Sequence, residues 1–229
     1  MSVLTPDLID AYRRLNGADV SNAIETFGVR LRNEGFADGT LRCLYPELPP
    51  IVGYAVTARI RCSEPPPLGQ PYHDRTDWWN YIVSVPAPRI VVVEDLDGRP
   101  GFGAFVGAVH ASILQALGCV GYASNGSVRD VEAVRDFAFQ FFAGGTSISH
   151  AFAHIVDFGG PVQVCGLTIS SGELLFGDAE GLLSVPPELC ADLPAVAAGM
   201  AAAEAKVMAF CRSSNFSIDG LRELVRELA

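Results

Sequence analysis

The chain has 229 residues, of which 49% are hydrophobic and 18% are charged. This composition is typical of a globular protein with a substantial core and excludes a disordered chain. The 26 acidic and 16 basic residues leave a formal net charge of −10, so we expect neither a nucleic acid nor an anionic membrane as a partner.

The first third of the chain predicts two helices followed by a strand. Thr5, Pro6 and Asp7 form a typical helix start, and this helix is predicted to continue to residue 15. A second helix is predicted over 19–27, ending at Gly28, and a strand over 51–60, where β-branched residues are frequent. Residues 62–77 are rich in proline and predict irregular structure, whereas 78–85 predict a short helix or an apolar turn.

The middle of the chain alternates between strands and helices. Residues 90–94 predict a strand that is buried on both faces, followed by a helix over 105–117, a strand over 119–123, a helix over 131–137 and a strand over 140–143. This order is typical of an α/β fold with parallel strands. Residues 101–128 carry no charged side chain, but their glycines and polar residues favour a buried helix and strand over a membrane span.

The last third of the chain predicts antiparallel strands and then helices. Short apolar runs separated by glycines over 150–185 indicate antiparallel strands, and two helices are predicted after them, one ending near residue 211 and one over 218–228. No internal repeat or low-complexity linker is present, so we expect a single domain over 1–229 with a helical extension from about residue 187.

Lysine and cysteine usage limits the chemistry and the compartment. The only lysine, Lys206, lies in an alanine-rich predicted surface helix, which excludes catalysis through a lysine imine. The six cysteines contain no C-x-x-C motif, and this excludes zinc ribbons. Because the N-terminal residues show neither a basic segment nor a continuous apolar run, we expect a cytoplasmic protein with reduced thiols.

Residues 124–130 are the strongest candidate site. They follow a predicted buried strand and lead into a helix, and ligands of parallel sheets bind beyond the carboxyl ends of the strands. Arg129 offers a planar guanidinium for a carboxylate, and Asp130 offers oxygen ligands for a divalent cation. In the alternative interpretation, Ser127 and Asp130 form a capping box that only begins a helix.

Other polar clusters have a structural interpretation beside a functional one. The acidic residues at 94, 95 and 97 could complete a metal site, or Asp97 could belong to a turn. His150 and His154 share one face and could bind a metal with Asp157, although histidine pairs without an H-E-x-x-H motif are more often structural. His110 is predicted to be either a functional group or a hydrogen-bonded histidine of its helix.

Eight short motifs follow one another along the chain: Asp19-Val-Ser-Asn-Ala23, Gly53-Tyr-Ala-Val-Thr57, Val91-Val-Val-Glu-Asp95, Gly118-Cys-Val-Gly121, Asn125-Gly-Ser-Val-Arg-Asp130, Gly166-Leu-Thr-Ile169, Gly177-Asp178 and Gly181-Leu-Leu-Ser-Val-Pro186. This ordered set, which covers about residues 19–187, resembles the RraA-like family, which joins the regulator of ribonuclease E activity A to the 4-hydroxy-4-methyl-2-oxoglutarate aldolases.

The resemblance implies a fold, an assembly and a reaction. It implies a compact α/β domain with a swivelling β/β/α core, in which helices flank a mixed sheet, and a homotrimer or hexamer with sites between subunits. It also implies a lyase that depends on Mg²⁺ or Mn²⁺. Asp130 would hold the metal, Arg129 would bind the substrate, and Gly107, Ala108, Val109 and His110 would contact the substrate carboxylate.

One position departs from the family pattern. The aldolases carry an acid twenty-one positions before the arginine, which is thought to orient a metal-bound water, and this chain has Ala108 there. Loss of such a group is expected to lower the rate by a factor of roughly 10² to 10⁴. Glu94, Asp95 or His110 could replace it.

Two functions follow. The leading prediction is a metal-dependent lyase that releases pyruvate from a small 2-oxo acid, by retro-aldol cleavage of 4-hydroxy-2-oxo diacids, by decarboxylation of oxaloacetate, or by both. The alternative, favoured by Ala108, is a non-catalytic regulator of the ribonuclease E inhibitor type that senses a metabolite or binds a protein. The sequence assigns no catalytic role to His150, His154 or Asp178.

Overall fold

The computed structural model describes residues 4–67 and 75–228, and within them it contains seven α-helices and eleven strands. The helices are α1 (Pro6–Tyr12), α2 (Gly17–Phe27), α3 (Arg75–Ser84), α4 (Ala108–Ala116), α5 (Val131–Arg135), α6 (Leu193–Cys211) and α7 (Ile218–Leu228), with a 3₁₀ helix at Pro187–Leu189. The strands are β1 (Arg42–Cys43), β2 (Ile51–Arg61), β3 (Arg89–Asp95), β4 (Ala104–Val106), β5 (Cys119–Val128), β6 (Gln140–Thr146), β7 (His154–Phe158), β8 (Val162–Val164), β9 (Leu167–Ile169), β10 (Leu174–Asp178) and β11 (Gly181–Val185).

Nine of these strands form one mixed sheet with a parallel centre. Its order is β1-β6-β5-β3-β2-β10-β11, with β4 paired to β5 and β7 paired to β2, and β8 and β9 form a separate hairpin. Strands β2, β3, β5 and β6 run parallel, whereas β7, β10 and β11 pair antiparallel. The predicted α/β class is thus confirmed, including the change from parallel to antiparallel pairing near residue 150.

The parallel strands are hydrophobic because both of their faces are covered. Successive side chains of a strand point to opposite faces, and in β3 Val91 and Val93 join the larger core cluster, whereas Ile90 and Val92 join the second cluster under the β8–β9 hairpin. All four side chains are fully buried. Because β3, β5 and β6 run parallel, their carboxyl ends lie at one edge of the sheet, where the loops can form a site.

Helix α1 begins and helix α2 ends at the signals seen in the sequence, but α1 ends at Tyr12 instead of residue 15 and α2 begins at Gly17 instead of residue 19. The Thr5 side chain accepts a hydrogen bond from the Leu8 N–H at the start of α1, and the Asn16 side chain accepts one from Asp19 at the start of α2. Helix α2 ends at Gly28, whose φ of 62° is in the left-handed region that favours glycine.

Among the element boundaries that differ from the sequence prediction, three lie near the candidate site. The predicted helix over 105–117 begins only at Ala108, because Ala104–Val106 forms β4 and pairs in parallel with the end of β5. Strand β5 itself continues from Ala123 to Val128, since its later residues pair with both β4 and β6. The predicted helix over 131–137 ends at Arg135. The predicted irregular segment 62–77 lies partly outside the described residues.

The two C-terminal helices are mostly exposed. Helix α7 has no buried residue among those described, and in α6 only Leu193, Pro194 and Ala197 are buried. By length and composition alone, α6 is the one helix in the described ranges that could cross a membrane, with a mean hydropathy of 1.3. A single helix of this kind is weak evidence for a membrane span.

Candidate metal-dependent active site

Arg129 and Asp130 directly follow β5, at the carboxyl edge of the parallel strands. The Arg129 N–H donates to the Val106 carbonyl at 3.0 Å, which extends the pairing of β4 with β5 by one residue. Asp130 then adopts a φ of 57° and occupies the N-cap position of α5. This left-handed backbone turns the chain from the strand into the helix and is uncommon for a residue other than glycine.

The Asp130 carboxylate lies at the N-terminus of α4 instead of capping α5. Its Oδ2 accepts a hydrogen bond from the Ala108 N–H at 3.0 Å, and the Arg129 Nε lies 3.7 Å from the same oxygen. It makes no capping hydrogen bond to α5. A helix N-terminus and a guanidinium both attract a carboxylate, so these two contacts orient the Asp130 side chain towards the start of α4.

The capping-box interpretation is wrong. Ser127 is still part of β5, and its hydroxyl donates to the Gly101 carbonyl at 2.9 Å. Because the strand runs on to Val128, Ser127 cannot serve as the N-cap of α5.

Arg129 and Asp130 form part of the wall of a cavity of about 420 Å³, a volume typical of sites for small ligands. The cavity combines these two charged groups with two histidines and several apolar side chains. Its lining residues are Pro66, Trp79, Ala104, Phe105, Gly107, Val109, His110, Ile113, Arg129, Asp130, His150, Ala151, Phe152 and Ala153.

The predicted substrate-binding residues meet at this cavity with one difference. Gly107, Val109 and His110 line it, whereas Ala108 is not among the lining residues. The methyl group of Ala108 packs against the core, and its N–H is engaged by Asp130. The first N–H groups of a helix have no acceptor within the helix, so the start of α4 is suited to holding an anion.

Two imidazole rings lie on the cavity wall. The His110 Nδ1 is 3.4 Å from the Phe105 carbonyl oxygen, and its ring packs edge-on against Phe105 with centroids 4.9 Å apart. The His150 Nδ1 lies 2.8 Å from the Ala151 carbonyl oxygen. If Nδ1 donates in each ring, Nε2 is the basic nitrogen. Glu94 and Asp95, the other two groups considered as replacements for the missing acid, do not line the cavity.

The turn that carries His150 is fixed closely against β4. The Ala104 N–H donates to the Ser149 carbonyl at 2.9 Å, and a Cβ atom at Gly103 would lie only 2.6 Å from the His150 carbonyl oxygen. Glycine is required at 103 because no larger residue leaves room for this approach. The sequence pattern grouped His150 with His154 and Asp157, whereas the structure places it on the cavity wall that Arg129 also lines.

His154, Asp157 and Asp178 lie outside the cavity. Asp157 forms a two-point ion pair with Arg59, and the His154 Nδ1 contacts the Phe152 carbonyl oxygen at 2.8 Å. Asp178 accepts hydrogen bonds from the N–H groups of Gly17 at 2.6 Å and Glu180 at 2.9 Å, so it joins the start of α2 to the β10–β11 turn.

A second acidic group lies deeper in the protein. Ligand atoms of Cys62, Asp95 and Asp97 lie within 4.8 Å of one another, and all three residues are buried. Burial raises the pKa of Asp95 above its usual range. Asp97 accepts from the N–H groups of Cys62 and Ser63, and Asp95 accepts from those of Asp97 and Gly101.

These contacts decide which acidic group suits a catalytic metal. The buried carboxylates hold the ends of β2 and β3 together with the loop up to Gly101, and a substrate has no access to them. The Asp130 side chain is 44% exposed and lies on the cavity wall. Mg²⁺ keeps several waters and is usually bound through one or two carboxylates plus substrate oxygens, so Asp130 fits such an ion.

Comparison with known proteins gives two curated relatives. Protein DlpA from Legionella pneumophila is 24% identical over 186 residues, covering 79% of this chain and 28% of that protein. A Halalkalibacterium halodurans protein named "Putative 4-hydroxy-4-methyl-2-oxoglutarate aldolase" is 31% identical over 104 residues, covering 44% of this chain and 48% of that protein. The chain thus spans less than half the length of either curated relative.

A solved structure and a family model extend the comparison over most of the chain. The crystal structure of an uncharacterized protein from Pseudomonas syringae pv. tomato superposes with a TM-score of 0.75 at 22% identity, covering 97% of this chain and 95% of the other, which establishes a shared fold. The model of the RraA-like family, described as Aldolase/RraA, matches residues 5–183. The chain therefore belongs to the RraA-like family.

Proposed function

We propose that this protein is a divalent-metal-dependent lyase that releases pyruvate from 2-oxo acids, by retro-aldol cleavage of 4-hydroxy-2-oxo acids, by decarboxylation of oxaloacetate, or by both. The observation that carries the proposal is the Asp130 carboxylate, held at the N-terminus of α4 beside Arg129 on the wall of a cavity. The family contains metal-dependent aldolases, which supports this chemistry.

Asp130 would hold Mg²⁺ or Mn²⁺, and Arg129 would bind the substrate carboxylate. When bound, such an ion supplies Lewis-acid stabilisation of the negative charge that develops on the substrate oxygen, worth several kcal/mol. Arg129 can form two parallel hydrogen bonds to a carboxylate. The start of α4 adds favourable electrostatics for the same negative charge.

Proton transfer distinguishes the two reactions. Retro-aldol cleavage requires a group that removes the proton of the substrate hydroxyl, whereas decarboxylation of oxaloacetate does not. Ala108 supplies no such group, and besides Asp130 the described cavity wall offers the imidazoles of His110 and His150 in its place. We therefore expect decarboxylation to be faster than cleavage of the aldol.

We further propose a homotrimer or hexamer with sites between subunits. Large apolar side chains are exposed in or beside the cavity-lining segments, with Val109 77%, Phe102 63% and Ile148 99% exposed. Helix α7 also presents apolar residues without burying any of those described. Large apolar side chains left exposed in one chain are expected where subunits pack together, and the molar mass measured by light scattering without detergent would test the assembly.

The alternative function is a non-catalytic regulator that senses a metabolite or binds a protein. Ala108 favours it, because the acid associated with proton transfer is missing. The family also contains ribonuclease E inhibitors.

The test is pyruvate release in a coupled lactate dehydrogenase assay, from oxaloacetate and from 4-hydroxy-4-methyl-2-oxoglutarate, with Mg²⁺ or with EDTA. Asp130→Ala is expected to abolish metal-dependent turnover. Asp136→Ala is a matched control, because Asp136 is an exposed acid at the other end of α5. Turnover no higher than with the metal alone, for every substrate, would contradict the lyase and favour the regulator.

A further inference from the structure

Beyond Arg129 and Asp130, the cavity wall carries several large apolar side chains, three of them aromatic, together with the imidazoles of His110 and His150. Trp79 comes from α3, Phe105 from β4, Ile113 from α4 and Phe152 from the turn before β7. The first three side chains are half-buried, and Phe152 is 54% exposed. Four separate segments of the chain therefore contribute large apolar side chains to the cavity wall.

The wall carries few permanently charged groups, and the two among its described residues are adjacent in the chain. Among the described lining residues, Arg129 is the only permanent cation and Asp130 the only carboxylate. One guanidinium binds one carboxylate at two points. Apart from His110 and His150, the other described lining residues offer the second carboxylate of a substrate diacid no cationic side chain, and desolvating an unpaired carboxylate is strongly unfavourable.

We propose that the cavity selects 2-oxo acids whose tail is apolar, preferably aromatic, over dicarboxylic 2-oxo acids. This inference rests on the proposed function, because it assigns the 2-oxo acid head group to Arg129 and Asp130. The tail then lies against the aromatic wall, where burial of a ring is favourable and a second carboxylate is not. The volume of about 420 Å³ accommodates the head group together with one ring.

The corresponding cleavage substrate is a 4-aryl-4-hydroxy-2-oxobutanoate. Its C3–C4 bond breaks with the electron pair going to C3, the 4-hydroxyl loses its proton as the aldehyde C=O forms, and C3 gains a proton to become the methyl group of pyruvate. The products are pyruvate and an aromatic aldehyde. No oxidant, reductant or further reactant is needed.

Ligand binding tests the substrate class separately from catalysis. In isothermal titration with Mg²⁺, phenylpyruvate is expected to bind at least tenfold more tightly than 2-oxoglutarate, because both carry the same head group and differ in the tail. Equal affinities, or a preference for 2-oxoglutarate, would overturn the inference even if the enzyme releases pyruvate. In turnover, kcat/KM is expected to favour 4-hydroxy-4-phenyl-2-oxobutanoate over 4-hydroxy-4-methyl-2-oxoglutarate by a similar factor, and the reverse order would also overturn it.

A failure of the proposed function would look different. In that case, no substrate, including oxaloacetate, would release pyruvate above the metal-only background. The binding preference for the aromatic tail would still be measurable and would decide the inference by itself.

A charge placed on the wall provides the decisive variant. Phe152→Arg adds a cation at an exposed position and is expected to improve the binding of 2-oxoglutarate. The ratio of the affinity for phenylpyruvate to the affinity for 2-oxoglutarate should therefore fall at least tenfold. Leu31→Arg is the matched control, since Leu31 is 65% exposed and does not line the cavity. The same preference in both variants would show that Phe152 does not face the tail and would contradict the proposal.

Discussion

Gly107 sets the position of the two charged residues, so Gly107→Ala is a sharp test of the site. A Cβ atom at 107 would clash with the Asp130 Oδ2 and would lie 2.9 Å from the Arg129 Cγ and 3.1 Å from its Nε, where ordinary contacts are 3.4–4 Å. The backbone of Gly107 is extended, with a φ of −133°, so alanine adds no backbone strain. Arg129 must therefore move by about 0.5 Å and the carboxylate by more, on the order of 1 Å.

This displacement is expected to break the hydrogen bond between the Ala108 N–H and Asp130. Because the carboxylate is partly exposed, the loss of unfolding free energy should be only about 1 kcal/mol. A 1 Å misplacement of a catalytic group lowers the rate by roughly 10²-fold. We therefore expect a folded protein whose kcat/KM for oxaloacetate and whose affinity for Mn²⁺ are both strongly reduced.

The assay combines pyruvate release with Mn²⁺ titration by electron paramagnetic resonance. Gly39→Ala is the control, since a Cβ atom there meets nothing within 4 Å and the site is elsewhere. Wild-type Mn²⁺ affinity together with wild-type kcat/KM in Gly107→Ala would refute the assignment of Asp130 as the metal-holding residue.

Three further predictions follow from the same structure. Because the Ala108 methyl group packs against the core and does not line the cavity, Ala108→Glu is expected to leave the ratio of 4-hydroxy-4-methyl-2-oxoglutarate cleavage to oxaloacetate decarboxylation unchanged, and a selective rise in cleavage by a factor of roughly 10² in a kinetic comparison would contradict this placement of the side chain. Burial raises the pKa of both Cys62 and Cys119 to about 12. As the pH rises, the unfolded chain therefore loses these two protons before the folded protein does. The unfolding free energy should fall between about pH 9 and pH 12, by about 1 kcal/mol per thiol at pH 10. In urea unfolding at pH 8 and pH 10, the loss of unfolding free energy should be smaller for the Cys62→Ala/Cys119→Ala double variant than for the wild type. Asp178→Ala should lower the unfolding free energy by about 1–2 kcal/mol and leave kcat/KM unchanged, as thermal unfolding and kinetics would check.

Elements with clear end signals could be predicted from the sequence, and those defined by distant partners could not. Thr5 and Gly28 mark a helix start and a helix end by local chemistry, and the structure confirms both. Ala104–Val106 is too short to show a period, and it is a strand only because it pairs with Ser127 and Val128. The same pairing extends β5 through a segment whose Ser-Asn-Gly composition is typical of a turn.

The residues of the candidate site likewise fall into those whose placement the sequence could predict and those that only the fold brings together. Arg129 and Asp130 are adjacent in sequence and follow a recognisable strand, so their placement could be predicted. Trp79, Phe105 and Phe152 are far apart in the chain and have no common spacing, and only the folded structure brings them to one cavity. The expected contact of Ala108 with a substrate rested on resemblance, and the structure directs its N–H to Asp130 instead.

The hydrogen bond from Ala108 to Asp130 comes from the main chain. The orientation of the carboxylate is thus independent of any side chain that would transfer a proton. Any residue except proline provides the same N–H, so the side chain at 108 can be exchanged without disturbing the carboxylate that it orients. At its other end α4 is fastened to the segment after α5, where the Gln115 amide donates to the Phe137 carbonyl at 2.7 Å. Under the proposed function, the group that transfers the proton can therefore differ between proteins of this fold without moving the carboxylate that would hold the cation.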